Sequence, residues 1–261
     1  MRKYMIGVDS GSTMCKSVLF DGEKIVDTLV VKTGWNPKLS SEESISSLLT
    51  RNGIERSDVC LSTTGYGREA IPDADYTFTE ITCHAHGGMF LAPDVQGLID
   101  IGGQDSKVIQ IQNNRVVNFL MNDKCAAGTG RFLNMACDRL DVNIEEIDSF
   151  IDENESIAIN SMCTVFAESE ITGLLAMQKD RSKIMAGILE SIAKKIQQQV
   201  GKVDFDQEKP LLMTGGLSKS KAIIKTISKI IGYEVITDSN ALFAGALGAC
   251  ICAYNKMERV H

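Results

Sequence analysis

Short apolar runs separated by small polar turns open the chain. Residues 4–31 hold three such runs with no room for a helix between them, so the pattern predicts three consecutive strands, the last two joined by a tight turn at Asp21-Gly22. Over 40–53 the period changes: Ile45, Leu48 and Leu49 share one helical face, Ser40 and Glu43 form a capping box, and Gly53 supplies a left-handed stop. Residues 59–63 read as a strand that runs into the glycine-flanked loop Thr64-Gly65-Tyr66-Gly67-Arg68. Residues 76–81 alternate like another strand, and Cys83-His84-Ala85-His86-Gly87-Gly88 is expected to open a short helix.

A second set of strands begins at Gly97 and runs to Met121, with a hairpin turn at Asn113-Asn114. Helices are expected over 130–140 and 144–151, from Cys163 onward, and over 181–202, where Ile184, Ile188, Ile192, Ile196 and Val200 recur every four residues. Residues 210–214 form a strand that enters Gly215-Gly216, Ser218 caps a helix ending at Gly232, and 234–237 form a last strand. The small-residue helix over 240–254 suits close packing across a domain junction. Strands that alternate with helices in this way make the chain α/β.

The two strand sets are copies. At a constant offset and without a gap, Asp9, Gly11, Lys16, Val18, Ile25 and Val26 fall on Asp100, Gly102, Lys107, Ile109, Val116 and Val117. Each copy ends an apolar strand in Asp, turns on small residues, and carries a Lys on the next strand. Phosphate needs backbone N–H groups at close approach together with a cation, and magnesium needs a carboxylate that can hold its water shell. Gly11, Ser12, Thr13 and Lys16 in one copy, and Gly102, Gly103, Gln104 and Lys107 in the other, meet the first demand; Asp9 and Asp100 meet the second. Two half-sites closing on one nucleoside polyphosphate and its metal ion are expected. A Gly-x4-Gly-Lys-Ser/Thr loop is absent, and Gly128-Thr129-Gly130 lacks the third glycine of a dinucleotide turn.

At 261 residues and 44% hydrophobic, the chain is long enough for two domains, expected over 1–95 plus 240–261 and over 96–239. A net charge of −7 with interspersed acids and bases offers no footprint for nucleic acid. The N-terminus meets charge too early for a signal peptide and no apolar run spans a bilayer, so a cytoplasmic protein with no membrane partner is expected. Eight cysteines in such a compartment are poor disulfide candidates.

Two of them stand apart. Cys125, in Asn122-Asp123-Lys124-Cys125-Ala126-Ala127-Gly128-Thr129-Gly130, and Cys163, in Ser161-Met162-Cys163-Thr164-Val165-Phe166, each lie at or just before a helix N-terminus. That position favours a thiolate and an anionic cluster through the helix dipole. Two thiolates do not complete an iron–sulfur cluster, which takes four; a twofold dimer supplies the others. Cys15, Cys60, Cys137, Cys250 and Cys252 sit in apolar settings and read as core. Cys83 with His84 and His86 offers a weaker rival metal site, and Trp35 in Gly-Trp-Asn-Pro reads as a surface turn.

The acid, glycine and lysine pattern resembles the actin, Hsp70 and sugar-kinase superfamily. Essentially the whole chain is similar to the activator (component A) of the 2-hydroxyacyl-CoA dehydratases, of the BadF/BadG/BcrA/BcrD type, whose relatives include ATPase subunits of benzoyl-CoA reductases. The likeness runs through Asp9-x-Gly11-Ser12-Thr13, Thr64-Gly65-Tyr66-Gly67-Arg68, Ile99-Asp100-Ile101-Gly102-Gly103-Gln104-Asp105, the Cys125 and Cys163 segments, and Met213-Thr214-Gly215-Gly216. Ser10, Lys219-Ser220-Lys221 and His86 depart from the pattern.

The resemblance implies two duplicated actin/Hsp70-like (ribonuclease H-like) domains, with mixed sheets flanked by helices and a nucleotide cleft between them. It implies ATP and ADP as ligands, with Gly128, Thr129, Gly130, Gly215 and Gly216 added to the nucleotide-binding set and Asp9, Asp100 and Gln104 as catalytic residues. Asp9 and Asp100 would hold Mg through water. It also implies a homodimer with one [4Fe-4S] cluster held by Cys125 and Cys163 of both subunits, loaded by a ferredoxin or flavodoxin and discharged to a dehydratase-type iron–sulfur protein. The rivals are an electron donor to a benzoyl-CoA reductase-type partner, a small-molecule kinase of the same fold with no cluster, and a non-catalytic nucleotide-binding regulator.

Overall fold

The structure, a computed structural model, describes residues 2–151, 155–160 and 163–258. It divides into two units, Met1–Pro93 with Ile111–Val116 and Asn240–His261, and Asp94–Gln110 with Val117–Ser239. Each unit is built on one five-stranded sheet.

In the first, β1 (Tyr4–Ser10), β2 (Met14–Phe20), β3 (Ile25–Lys32), β4 (Val59–Thr64) and β5 (Tyr76–Thr77) lie in the order β3-β2-β1-β4-β5. β1 runs antiparallel to β2 and parallel to β4. The Asp21 carboxylate accepts from the backbone N–H groups of Glu23 and Lys24, both at 2.9 Å, and so closes the β2–β3 turn. Helix α1 (Pro37–Asn52) begins three residues before the expected capping box. Asn36 is the cap, accepting from the Leu39 N–H at 3.2 Å, and Pro37 takes the first helical position, where its missing N–H has no helical partner to lose. Gly53 ends α1 in the left-handed conformation, as expected.

The alternation over 76–81 is not a strand. Only Tyr76 and Thr77 pair with β4, because Thr79 accepts from the Thr82 N–H and starts helix α2 (Glu80–Leu91). Six residues of alternation do not distinguish a strand from a capped helix start. The small-residue helix, α8 (Ala244–Glu258), spends its glycines and alanines inside the first unit. A Cβ on Gly7 of β1 would strike the Ala246 carbonyl, and one on Gly248 would strike the Cys83 carbonyl of α2. Its buried face meets Met5, Val18 and Phe20.

The second unit repeats this plan. Strands β6 (Gly97–Ile101), β7 (Ser106–Gln112), β8 (Arg115–Asn122), β9 (Leu211–Gly215) and β10 (Val235–Ile236) lie in the order β10-β9-β6-β7-β8, with β6 antiparallel to β7 and parallel to β9. Asn113 and Asn114, with φ of 51° and 58°, make the expected hairpin turn. Helices α3 (Gly130–Leu140), α4 (Ile147–Phe150), α5 (Thr164–Ala176), α6 (Arg181–Val200) and α7 (Lys221–Ile231) complete it. The five-residue stripe of α6 is buried in the main core, each side chain contributing about 1.5–3 kcal/mol.

Helix α7 starts later than expected. A 3-10 turn at Gly216–Lys219 intervenes, Ser218 donates to the Gly215 carbonyl at 2.8 Å, and Ser220 is the cap. Asp148 of α4 reinforces that cap, accepting from the Lys221 N–H at 2.9 Å and the Ala222 N–H at 3.0 Å. Two mixed sheets of matching strand order, flanked by helices, are the duplicated α/β fold expected.

Candidate functional site

In the first unit, β-pairing places Asp9 directly opposite Lys16 on one side and Thr64 on the other. The Asp9 side chain is buried, and Lys16 Nζ donates to its Oδ2 at 3.0 Å. Oδ1 has no hydrogen-bond partner among the described residues. Glycines wall this carboxylate. A Cβ on Gly65, which holds φ of +86°, would lie 2.5 Å from Oδ1; a Cβ on Gly245 would lie 3.0 Å from Oδ2 and 2.9 Å from His84 Nε2. The β1–β2 turn is anchored from behind by Thr33, which donates through Oγ1 to the Gly11 carbonyl at 2.7 Å and through its N–H to the Thr13 carbonyl at 3.0 Å. Ser12 and Thr13 stand exposed in front. A buried acceptor with an unused oxygen, a lysine and an exposed small-residue turn together suit a polyphosphate and its cation.

In the second unit the same register sets Asp100 between Lys107 and Thr214. Here the acid is closed. Lys107 Nζ donates to Asp100 Oδ2 at 3.2 Å and pairs with Asp105 at 2.8 Å, while Thr214 Oγ1 donates to Asp100 Oδ1 at 2.9 Å. The Lys107 side chain is 1% exposed, against 15% for Lys16. Gly215 repeats Gly65: φ is +84°, and a Cβ would lie 2.8 Å from Asp100 Oδ1. Gly102 and Gly103 meet the start of α3, since the Gly130 and Arg131 N–H groups donate to their carbonyls at 2.9 Å. Gly128, Thr129 and Gly130 are buried there; Gln104 and Gly216 are exposed.

Cys125 is partly exposed between β8 and α3, and its carbonyl accepts from the Asn122 amide at 2.9 Å. Cys163 is exposed as the N-cap of α5 and makes no side-chain capping bond. Ser161 and Met162, which precede it in the motif, lie outside the described residues. The other six cysteines are buried. Two free thiols, Cys163 at the N-cap of α5 and Cys125 in the loop four residues before the Thr129 cap of α3, fit as ligands for half of an iron–sulfur cluster, which takes four. The rival trio does not converge: Cys83, His84 and His86 lie on one turn of α2, where neighbouring side chains fan out by about 100° per residue. Trp35 is 90% exposed, as a surface turn requires.

The chain matches the BadF/BadG/BcrA/BcrD ATPase family over residues 6–253. It belongs to that family. Among its relatives, the (R)-2-hydroxyglutaryl-CoA dehydratase activating ATPase of Acidaminococcus fermentans is 38% identical, covering 99% of this chain and all of the relative. The crystal structure of that dehydratase's component A superposes with a TM-score of 0.92, covering 98% of this chain and 99% of the other. The activator of the 2-hydroxyisocaproyl-CoA dehydratase from Clostridium difficile, solved with bound ADPNP, gives the same TM-score at 36% identity, covering 98% of this chain and 96% of its own.

Thr64, Thr214, His84 and Gly245 join the acid sites without having been singled out for them. The Thr-Gly equivalence follows β4 and β9, which the long insertion of α3 to α6 sets at a different offset from the first repeat. Matching the two Thr-Gly pairs after apolar strands would have found it. Nothing local marks His84 or Gly245, which reach Asp9 only through the packing of α2 and α8. Among the described residues, no helix is long and apolar enough to cross a membrane.

Proposed function

We propose that this protein is an ATP-driven one-electron donor to a 2-hydroxyacyl-CoA dehydratase or related iron–sulfur partner, working as a homodimer. Family membership and full-length likeness to proteins named as dehydratase activators support the reading. The observation that carries it is the pair of accessible thiols, Cys125 in the loop before α3 and Cys163 at the start of α5, in a chain whose other cysteines are buried. A kinase of this fold has no use for them.

Asp9 is assigned to hold the hydrated magnesium through Oδ1, its unused oxygen, and to orient the water that meets the γ-phosphate. Lys16 pairs with Asp9 and faces the phosphates; Gly11, Ser12 and Thr13 supply the turn that receives them. Positioning and charge neutralisation are most of what phosphoryl transfer requires of a protein. Asp100 and Gln104 keep their place in the proposed catalytic set, with Asp100 acting through the remaining lone pairs of oxygens that already accept bonds. Gly102, Gly103, Lys107, Gly128, Thr129 and Gly130 shape the second half-site, and Gly215 and Gly216 leave room beside β9 for the nucleoside.

Cys125 and Cys163 of both subunits would hold one [4Fe-4S] cluster, which when bound supplies storage for a single electron at low potential. The helix N-termini behind those thiols place partial positive charge toward the bound anion. Movement of those helices with nucleotide state would alter how strongly that charge is felt. A reduced ferredoxin or flavodoxin is the electron source in this scheme.

Anaerobic purification, iron analysis and an electron paramagnetic resonance spectrum of the dithionite-reduced dimer test it. About four irons per dimer and a signal lost in Cys125→Ser and in Cys163→Ser are expected. Iron-free wild-type protein that hydrolyses ATP and phosphorylates a small molecule would replace this reading with the kinase.

A further inference from the structure

The exposed face of α7 carries its cations in one row. Lys221, Lys225 and Lys229 recur every four residues, so they stack along the helix about 6 Å apart, and all three are exposed. Like charges at this spacing repel and weaken a helix. In a chain of net charge −7 an acid would be expected beside them to offset that repulsion, yet among the described residues neither Lys221 nor Lys229 enters an ion pair. Positive charge is thus concentrated here against the sign of the whole molecule.

The row borders a groove of about 540 Å³ between α7 and the edge strand β10, all of it within the second unit. Small-molecule sites enclose about 300–1,000 Å³, and the groove falls within that range. Ile224 and Val235 give it an apolar floor. Two hydroxyls also line it, but both are spent: Ser228 Oγ donates to the Tyr233 carbonyl at 2.7 Å, and Thr237 Oγ1 donates to the Ser218 carbonyl at 3.1 Å. The three ammonium groups are therefore the side-chain donors left to a ligand. An ammonium on a flexible stem acts as a mobile point charge, which suits the dense charge of phosphate. Three of them along about 12 Å of helix are more than a single phosphate group engages.

We propose that the groove between α7 and β10 is a binding site for a small organic anion carrying two or more phosphate groups, which Lys221, Lys225 and Lys229 hold while its uncharged part lies on Ile224 and Val235. The site shares no residue with the Asp9 or Asp100 half-site or with the Cys125 and Cys163 pair, so it stands or falls independently of the electron-transfer reading.

Adenosine 3′,5′-bisphosphate, with two separated phosphates and an apolar base, is the probe, added to the full chain with saturating ADP and magnesium to fill the proposed nucleotide site. Lysine acetylation read by peptide mass spectrometry should fall severalfold at Lys221, Lys225 and Lys229, with the exposed Lys202 and Lys209 of the same unit unchanged. Sodium sulfate at the same ionic strength should protect none of them. Calorimetry under the same conditions should show saturable binding that Lys221→Gln combined with Lys229→Gln weakens by about tenfold, while ATP turnover stays at the wild-type rate. Both substitutions relieve repulsion along α7, so the variant is expected to fold. Equal protection by sulfate, protection of all five lysines alike, or binding unchanged in the double variant would overturn the site. So would the lack of both protection and heat at about 1 mM probe.

Discussion

Thr214 donates its hydroxyl to Asp100 Oδ1 at 2.9 Å, closing a carboxylate whose other oxygen Lys107 already holds. Thr64, in the same register beside Asp9, donates instead to the Phe78 carbonyl at 3.2 Å and leaves Asp9 Oδ1 without a partner among the described residues. The duplicated acid has thus diverged into one that is internally satisfied and one that is not. Asp9→Asn is expected to lower ATP turnover by about 100-fold with a small change in melting temperature, since Lys16 is partly solvated. Asp100→Asn is expected to destabilise by about 3 kcal/mol, because the buried Lys107 ammonium loses the Asp100 carboxylate that pairs with it. Turnover and chemical denaturation of both variants check the contrast; equal effects on stability would count against it.

At Gly65 and Gly215 the backbone and the surroundings both exclude a side chain, and each presses on one of the two acids. Alanine at either adopts a left-handed conformation that costs about 1–2 kcal/mol, and its Cβ meets a carboxylate oxygen, Asp9 Oδ1 at 2.5 Å or Asp100 Oδ1 at 2.8 Å. Gly65→Ala should weaken nucleotide binding measured by calorimetry more than Gly215→Ala does, because Asp9 is the open acid. Gly34→Ala, left-handed with nothing within 4 Å, is the control for backbone strain alone.

Thiol accessibility sorts the cysteines. Iodoacetamide at pH 8 should label Cys163 first and Cys125 next in iron-free protein. Cys137 should lag by more than tenfold, since burial, with Asp138 beside it, raises its thiol to about 11. Time-resolved peptide mapping reads the order, and early labelling of Cys137 would contradict its buried place on α3.

Asp148 links α4 to the start of α7. Burial alone would raise its carboxyl, but the Ser220 hydroxyl and the Ala222 and Lys221 N–H groups outweigh it and leave the group below the ordinary carboxylate range. A carboxylate lowered in the folded state contributes stability above its unfolded value, near 3.8, and loses it as pH falls through the folded value. Asp148→Asn should therefore unfold more easily at pH 7, while the gap from wild type narrows below about pH 4. Denaturation midpoints between pH 7 and pH 3 measure this, and a gap constant across the range would contradict it.

The sheet strands, the α6 stripe and the hairpin turns were legible because each rests on a local period or on a turn that only certain residues make. The Asp, Gly and Lys of both half-sites were legible for a related reason: an ungapped duplication repeats them at one offset. The starts of α1, α2 and α7 were not. Ser40, the 76–81 alternation and Ser218 were plausible local signals, and the competing caps Asn36, Thr79 and Ser220 prevailed because the surrounding packing fixed where each chain turns. What the chain alone determined is the chemistry present at each acid: an aspartate, a lysine five residues after a glycine, a threonine before a glycine. Only the tertiary structure decided which acid stays open, since that depends on whether a threonine on a neighbouring strand turns its hydroxyl to the carboxylate or to a carbonyl, a choice set by packing and not by residue type.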